Sequence, residues 1–154
     1  MKLNVFGSTG VIGKITLQII KKQFPNYKIN LLCAKNNSKL LAKQCNDFNV
    51  KYAYIDNKNK YKQLKLYLSK DIKILTKDEL SENLNNSKTD LSILSVSGYD
   101  SLKYLELILK NSNKIGIVSK EAIVSSGHIL KKINNKYKCK IIPLDSEHFS
   151  IFQN

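Results

Sequence analysis

The sequence predicts an α/β protein with a doubly wound, mostly parallel sheet and helices on both of its faces. Three observations carry this. Short apolar, strand-like runs alternate with stretches of helical period along the whole chain, the pattern of repeated βα units. Each strand-like run ends in a polar or glycine-bearing turn, and in a parallel sheet such turns share one edge. The length, 154 residues, suits one domain with its own core, and no compositional break divides it.

In chain order, Leu3-Asn4-Val5-Phe6 reads as the first strand. Gly7-Ser8-Thr9-Gly10-Val11-Ile12-Gly13 follows, then a helix-period run over residues 15–20 that ends near Lys22, before Pro25. Residues 28–33 form a second strand, closed by Ala34-Lys35-Asn36-Asn37. Ser38 is placed to cap the next helix, whose Leu40, Leu41, Cys45 and Phe48 recur at roughly helical spacing. A short strand over 52–55, a helix over 60–68 with Tyr61, Leu64, Tyr67 and Leu68 on one face, and an alternating strand over 72–75 come next. Thr76 and Glu79 have capping-box spacing for a short helix, and residues 83–89 read as a polar loop. A strand over 91–96 ends at Ser97-Gly98, and Ser101 opens a helix through Leu109. A strand over 115–118 leads to Ser119-Lys120-Glu121 and a new helix. The last strand, 139–143, delivers Asp145-Ser146-Glu147-His148.

The formal charge is +14, from 26 basic and 12 acidic residues, which favours polyanionic partners in general. Two features argue against nucleic acid as the main partner. The lysines are scattered over every segment, and the chain has no Arg, the side chain that reads bases and phosphates with a two-pronged fork. Cys33, Cys45 and Cys139 are far apart and odd in number, so they suggest neither a disulfide framework nor a CxxC metal site. A reducing, cytoplasmic setting is the expectation. No apolar run is long enough to span a bilayer, and the first strand follows Met1 too closely to leave space for a signal peptide.

The chemistry of the sheet edge starts at residues 7–13. Glycine admits φ > 0 and close approach of a ligand, and a helix N-terminus presents unpaired N–H groups to an anion such as a pyrophosphate. The spacing is GxxGxxG, one residue from the dinucleotide fingerprint GxGxxG, so a plain structural turn is the other reading of the same residues. At the end of the second strand an acid would hold the ribose 2′-hydroxyl of NADH. The tip here has Lys35 and Asn37 and no carboxylate, which favours NADPH with either residue near its 2′-phosphate. A polar turn that caps the next helix explains each of them equally well. Asp145 and Glu147 can offer hard oxygen ligands to Mg²⁺ or Mn²⁺, or serve as a helix cap and a first-turn acid. Lys120 can meet a substrate phosphate or a developing oxyanion, or be one solvated lysine among many.

Three stretches together carry a resemblance. Phe6-Gly7-Ser8-Thr9-Gly10-Val11-Ile12-Gly13, then Ser119-Lys120-Glu121-Ala122-Ile123-Val124, then Ile142-Pro143-Leu144-Asp145-Ser146-Glu147-His148-Phe149-Ser150-Ile151-Phe152-Gln153 resemble 1-deoxy-D-xylulose 5-phosphate reductoisomerase. The order and spacing are similar to that family's N-terminal region, the last stretch being the most specific and the glycine loop the least. Gln44-Cys45, Phe48 and Tyr52-Ala53 also match.

The resemblance implies a Rossmann-like NADPH-binding domain over residues 1–154, ending just inside the start of the catalytic region. The family uses NADPH and a divalent metal, Mg²⁺ or Mn²⁺, in the non-mevalonate route to isoprenoids. It rearranges 1-deoxy-D-xylulose 5-phosphate and reduces the product to 2-C-methyl-D-erythritol 4-phosphate. By position, the resemblance makes Gly7, Thr9, Gly10, Val11, Ile12 and Gly13 the cofactor loop and Lys35, Asn37, Ser119 and Glu121 further cofactor contacts. It makes Lys120 and Glu147 catalytic, Lys120, Ser146 and Glu147 substrate contacts, and Asp145 and Glu147 metal ligands. The implied partners are a phosphorylated sugar and, in the full-length family, a second subunit. Departures from the family pattern are Val118-Ser119 for Ala-Asn, Lys35-Asn36 for a small-then-basic pair, and Ser101 for a glycine. The family's third metal carboxylate, its active-site loop and its helical C-terminal domain lie beyond Asn154, so the resemblance also implies a truncated form that is inactive alone. Its rivals are a generic NADP-binding oxidoreductase domain and a basic nucleic-acid-binding module.

Overall fold

Seven strands and six helices alternate in the computed structural model, which describes residues 1–86 and 88–144, with the backbone but not the side chains of Glu121, Ala122, Ser125, Ser126, His128 and Ile129. Their order is β1 (Lys2–Phe6), α1 (Val11–Gln23), β2 (Lys28–Ala34), α2 (Ser38–Asp47), β3 (Tyr52–Ile55), α3 (Tyr61–Tyr67), β4 (Lys73–Ile74), α4 (Lys77–Asn85), β5 (Thr89–Leu94), α5 (Leu102–Asn111), β6 (Ser112–Ile117), α6 (Lys120–Tyr137) and β7 (Lys140–Pro143). Short 3₁₀ segments lie at Lys58–Lys60 and Gly98–Ser101. The strands form one sheet in the order β4-β3-β2-β1-β5-β6-β7, and every pairing is parallel. The chain winds outward from β1 to β4, returns to the centre, and winds the other way from β5 to β7. The strand order therefore reverses between β1 and β5, where α/β sheets of this kind bind their ligands.

Alternation along the strands builds two cores. Leu3 and Val5 of β1 pack with Leu17 and Ile20 of α1, Leu41 and Cys45 of α2 and Leu64 of α3. Phe6, at the end of the same strand, packs on the opposite face with Leu84 of α4, Leu105 and Ile108 of α5 and Leu130 of α6. Helices on both faces bury β2 completely after its first residue, which is why its sequence is an almost unbroken apolar run. Among the described residues no helix is long and apolar enough to cross a membrane.

Several boundaries differ from the sequence expectation, each for a local reason. The polar loop placed at 83–89 is shorter: α4 continues to Asn85 because Leu84 joins Leu80 in the core. The strand expected from residue 115 begins at Ser112 instead. Its start is disguised by buried hydroxyls, since Thr89, Ser92 and Ser112 are all buried and satisfy one another. Ser92 and Ser112 lie 2.7 Å apart, Thr89 and Ser112 3.1 Å, and Thr89 and Ser92 3.3 Å. Ser38 does not cap α2. Asn37 does, its Oδ1 accepting from the Leu40 N–H at 3.1 Å, while Ser38 Oγ donates to Gln63 Oε1 at 2.7 Å. Ser101 does not cap α5 either; it lies in the 3₁₀ segment and donates to the Gly98 carbonyl at 2.6 Å. The capping box at Thr76 and Glu79 forms as its spacing predicts.

Candidate functional site

The crevice at the switch point is built from backbone before any side chain enters it. After β1 the chain turns at Gly7, whose φ of +83° belongs to the left-handed region that favours glycine. A Cβ at Gly7 would stand 2.7 Å from the Ser95 carbonyl oxygen, so the glycine also lets the ends of β1 and β5 approach. Gly10 ends the turn and is the N-terminal flank of α1; its N–H donates to the Gly7 carbonyl at 3.0 Å. Gly13 allows α1 to lie directly on the turn, since a Cβ there would meet the Gly7 carbonyl oxygen and come within 2.7 Å of Ser8 Cα. Gly7 and Gly13 of GxxGxxG thus have distinct steric causes, whereas a Cβ at Gly10 would come no nearer than 3.3 Å to the Gly7 carbonyl oxygen. No side chain caps α1 and no acid occupies its first turn. The positive end of this helix therefore faces the crevice without an internal counter-charge, the condition under which a helix N-terminus attracts an anion.

Two polar residues fix the turn from behind. Gln44 of α2 is buried and donates from Nε2 to the Ser8 carbonyl at 2.9 Å. Ser95, just past β5, donates from its backbone N–H to the Phe6 carbonyl at 2.9 Å and from Oγ to the same oxygen at 2.7 Å. Sequence reasoning gave neither residue a role in the loop. Their signal was slight: Gln44 lies on a helix face otherwise read as apolar, and Ser95 is one of several serines around the end of a strand.

The crevice has a volume of about 280 Å³ and is lined by Gly7, Thr9, Gly10, Lys35, Ser97 and Asp100, among others. It adjoins a groove of about 570 Å³ between α4 and α5, with Asp56, Lys103 and Tyr104 common to both. Lys35 stands at the tip of β2 as the sequence predicts, with its ammonium 2.7 Å from Asp100 Oδ2. Lys103 Nζ lies 2.8 Å from the other oxygen of Asp100 and 3.8 Å from Asp56 Oδ2. The two lysines, Lys103 first, hold the Asp100 carboxyl down at about 2, below the usual carboxylate range. Burial, with the Asp56 charge second, pushes the Tyr54 phenol up to about 12, and its hydroxyl donates to Asp56 at 3.2 Å. The tip of β2 itself has no acid, but the fold brings two to it.

The other predicted site residues are distributed as follows. Thr9 is partly buried and Val11 and Ile12 are exposed at the start of α1, beside the crevice mouth. Asn37 caps α2 with its side-chain oxygen. Ser119 is buried, and its hydroxyl donates to the Gly98 carbonyl at 3.4 Å, tying the end of β6 to the turn after β5. Lys120 is exposed at the first position of α6. The side chain of Glu121, and Asp145, Ser146 and Glu147 entirely, lie outside the described residues. Among the described residues, no group of three His, Cys, Asp or Glu side chains is arranged to hold a metal ion.

A parallel sheet with a glycine turn and an uncapped helix at its switch point is the arrangement that defines the class of nucleotide-binding α/β folds. Its family is more particular. Residues 3–127 match the family model described as 1-deoxy-D-xylulose 5-phosphate reductoisomerase, and the chain belongs to that family. The enzyme of that name from Pelagibacter ubique is 40% identical over 154 residues, covering 98% of this chain and 40% of the relative. That from Wolbachia pipientis subsp. Culex pipiens is 36% identical, covering 99% and 39%. Among solved structures, the Zymomonas mobilis reductoisomerase in complex with NADPH aligns with a TM-score of 0.89 at 28% identity, over 99% of this chain and 40% of its own. A reductoisomerase in complex with NADPH, fosmidomycin and magnesium aligns with a TM-score of 0.89 at 26% identity, over 99% and 38%. This chain thus spans about 40% of the length of the relatives it matches.

Proposed function

We propose that this chain is the NADPH-binding part of a 1-deoxy-D-xylulose 5-phosphate reductoisomerase. The observation that carries the reading is the glycine turn at the switch point, where Gly7 and Gly13 have the steric reasons given above, opening on an uncapped helix with a cation at the tip of β2. The residues fit the cofactor in charge and shape. Gly7, Thr9, Gly10, Val11, Ile12 and Gly13 form the backbone cradle for the pyrophosphate, and Lys35 is the counter-charge for the 2′-phosphate. Ser119 and Glu121 are assigned to the cofactor side, and so is Asn37, whose Oδ1 caps α2. Bound NADPH supplies a hydride to the rearranged substrate.

For the chemistry toward the sugar phosphate, Lys120 is assigned as the cation that meets substrate charge, with Ser146 and Glu147 as further contacts. Asp145 and Glu147 are the proposed ligands of a divalent metal, Mg²⁺ or Mn²⁺. The whole reaction, rearrangement of 1-deoxy-D-xylulose 5-phosphate and reduction to 2-C-methyl-D-erythritol 4-phosphate, is proposed for the longer family protein. The 154-residue chain is expected to bind NADPH without turning over the sugar phosphate.

The test is a calorimetric or ¹⁵N NMR titration of the purified chain with NADPH. Saturable binding is expected, with shifts concentrated at residues 7–13 and Lys35 and weakened by Lys35→Gln. An absence of saturable binding into the millimolar range would sink the reading.

A further inference from the structure

The inference deepens the cofactor reading above and rests on it. In sequence, the tip of β2 looks free of acid. In space, Asp100 comes to it from 65 residues away, and its two oxygens are divided between two ammonium groups, Lys35 at 2.7 Å and Lys103 at 2.8 Å. All three side chains line the crevice.

The partners differ in how firmly they are held. Asp100 sits in the 3₁₀ segment after β5, where Ser101 Oγ and Ser119 Oγ both donate to the Gly98 carbonyl, at 2.6 and 3.4 Å. The lysines reach in on long stems, with side chains 61% and 54% exposed. A backbone-anchored carboxylate with two movable cations folded onto it is an anion site already filled by the protein. Asp56, the other acid nearby, is 3.8 Å from Lys103 and accepts the Tyr54 hydroxyl, so it offers weaker competition. A phosphate arriving at Lys35 must either take the cation from Asp100 or lie beside its negative charge. A ribose hydroxyl meets no such penalty, because it can donate to a carboxylate.

We propose that Asp100 sets the cofactor preference of this chain: by occupying the Lys35–Lys103 cation pair, its carboxylate narrows the preference for a 2′-phosphorylated dinucleotide over the 2′-hydroxyl form. The two ammonium groups hold the Asp100 carboxyl below the usual carboxylate range, so this competitor stays charged throughout the neutral range.

The test is a set of binding titrations on the purified chain, wild type and Asp100→Asn, with four ligands: NADPH, NADH, adenosine 2′,5′-bisphosphate and 5′-AMP. Asp100→Asn is nearly isosteric at a partly exposed site, and Asp100→Ala with a thermal melt of each variant controls for folding. The expected result is tighter binding of the two 2′-phosphorylated ligands by about 3- to 10-fold, the scale of two exposed ion pairs, with NADH and 5′-AMP unimproved. The gain should shrink at high salt. An unchanged ratio of 2′-phosphorylated to 2′-hydroxyl affinity, or a ratio that falls, overturns the proposal, the latter by showing that Asp100 orients Lys35 for the phosphate. If neither wild type nor variant binds any of the four ligands, the cofactor reading fails first and this proposal falls with it.

Discussion

Gly13 and Gly127 receive the same substitution, alanine, with opposite expected outcomes. Both lie in helices, α1 and α6. In a helix interior, replacing glycine by alanine is worth about 1 kcal/mol in favour of the folded state. At Gly127 nothing among the described residues lies within 4 Å of the added Cβ, so that gain should be realised nearly in full. At Gly13 the new methyl would overlap the Gly7 carbonyl oxygen and stand 2.7 Å from Ser8 Cα and 2.8 Å from the Ser8 carbonyl carbon. These are backbone atoms, held on their other side by Gln44 and by the ends of β1 and β5, so relief requires moving the whole turn. Overpacking of this kind costs about 1–3 kcal/mol and occasionally more, and the upper end applies where backbone must shift. Net of the helical gain, Gly13→Ala should lose about 2 kcal/mol. Urea unfolding followed by far-UV circular dichroism measures both variants. With a slope of about 2 kcal/mol per molar, the midpoint should fall by roughly 1 M for Gly13→Ala and rise by a few tenths for Gly127→Ala. A Gly13→Ala protein at least as stable as the wild type would show that α1 does not rest on the glycine turn as described.

Three further outcomes are expected. Gln44→Met removes the donor to the Ser8 carbonyl while keeping most of the side-chain volume; stability should fall by about 1 kcal/mol and NADPH affinity with it, and unchanged affinity in the titration above would show that Gln44 does not position the loop. The Glu79 carboxyl is held down at about 2 by Lys73 first and by the Thr76 N–H second, against 4.5 unperturbed. A carboxyl depressed in the folded state contributes stability above its unfolded value that is lost as the pH falls from 4.5 towards 2, so Glu79→Gln should flatten that part of a pH series of thermal melts. Desolvation pushes Cys33 well up, Cys45 to about 12 and Cys139 to about 11, and all three thiols are buried. At pH 8 a disulfide reagent should therefore react with none of them quickly in native protein and with all of them in denaturant.

What the sequence made legible was what local chemistry writes locally. The strand, turn and helix around residues 7–13, the capping box at Thr76 and Glu79, and the alternation of strands with helices all declare themselves over a few residues. Adjacent cap-forming residues defeated this at Asn37 and Ser38, where the path of the chain out of β2, and not composition, decides which one caps. Buried hydroxyls defeated it at Ser112, since a strand that begins on serine and lysine reads as a loop. The electrostatics of the crevice were the least accessible. Asp100 and Lys35 belong to different βα units, and only the meeting of β1, β2 and β5 at one edge places them 2.7 Å apart. Asp145 and Glu147 gained their reading from family likeness, and they lie outside the described residues.

The hydroxyl trio of Thr89, Ser92 and Ser112 has a consequence for how the sheet finds its alignment. Much of the apolar core is Leu and Ile, side chains similar enough in volume that many strand offsets would pack passably. A slip of one residue between β5 and β6 would turn these hydroxyls against hydrocarbon, and a slip of two would separate Thr89 from Ser112, its partner across the ladder. The trio acts as a key cut for one alignment, and its removal, as in Thr89→Val with Ser92→Ala and Ser112→Ala, should leave a chain that still collapses but refolds with slower, multiphasic kinetics. Buried polar atoms are usually counted as a cost to stability. Here they provide selectivity among misaligned sheets, at the starts of β5 and β6, the opposite edge of the sheet from the crevice.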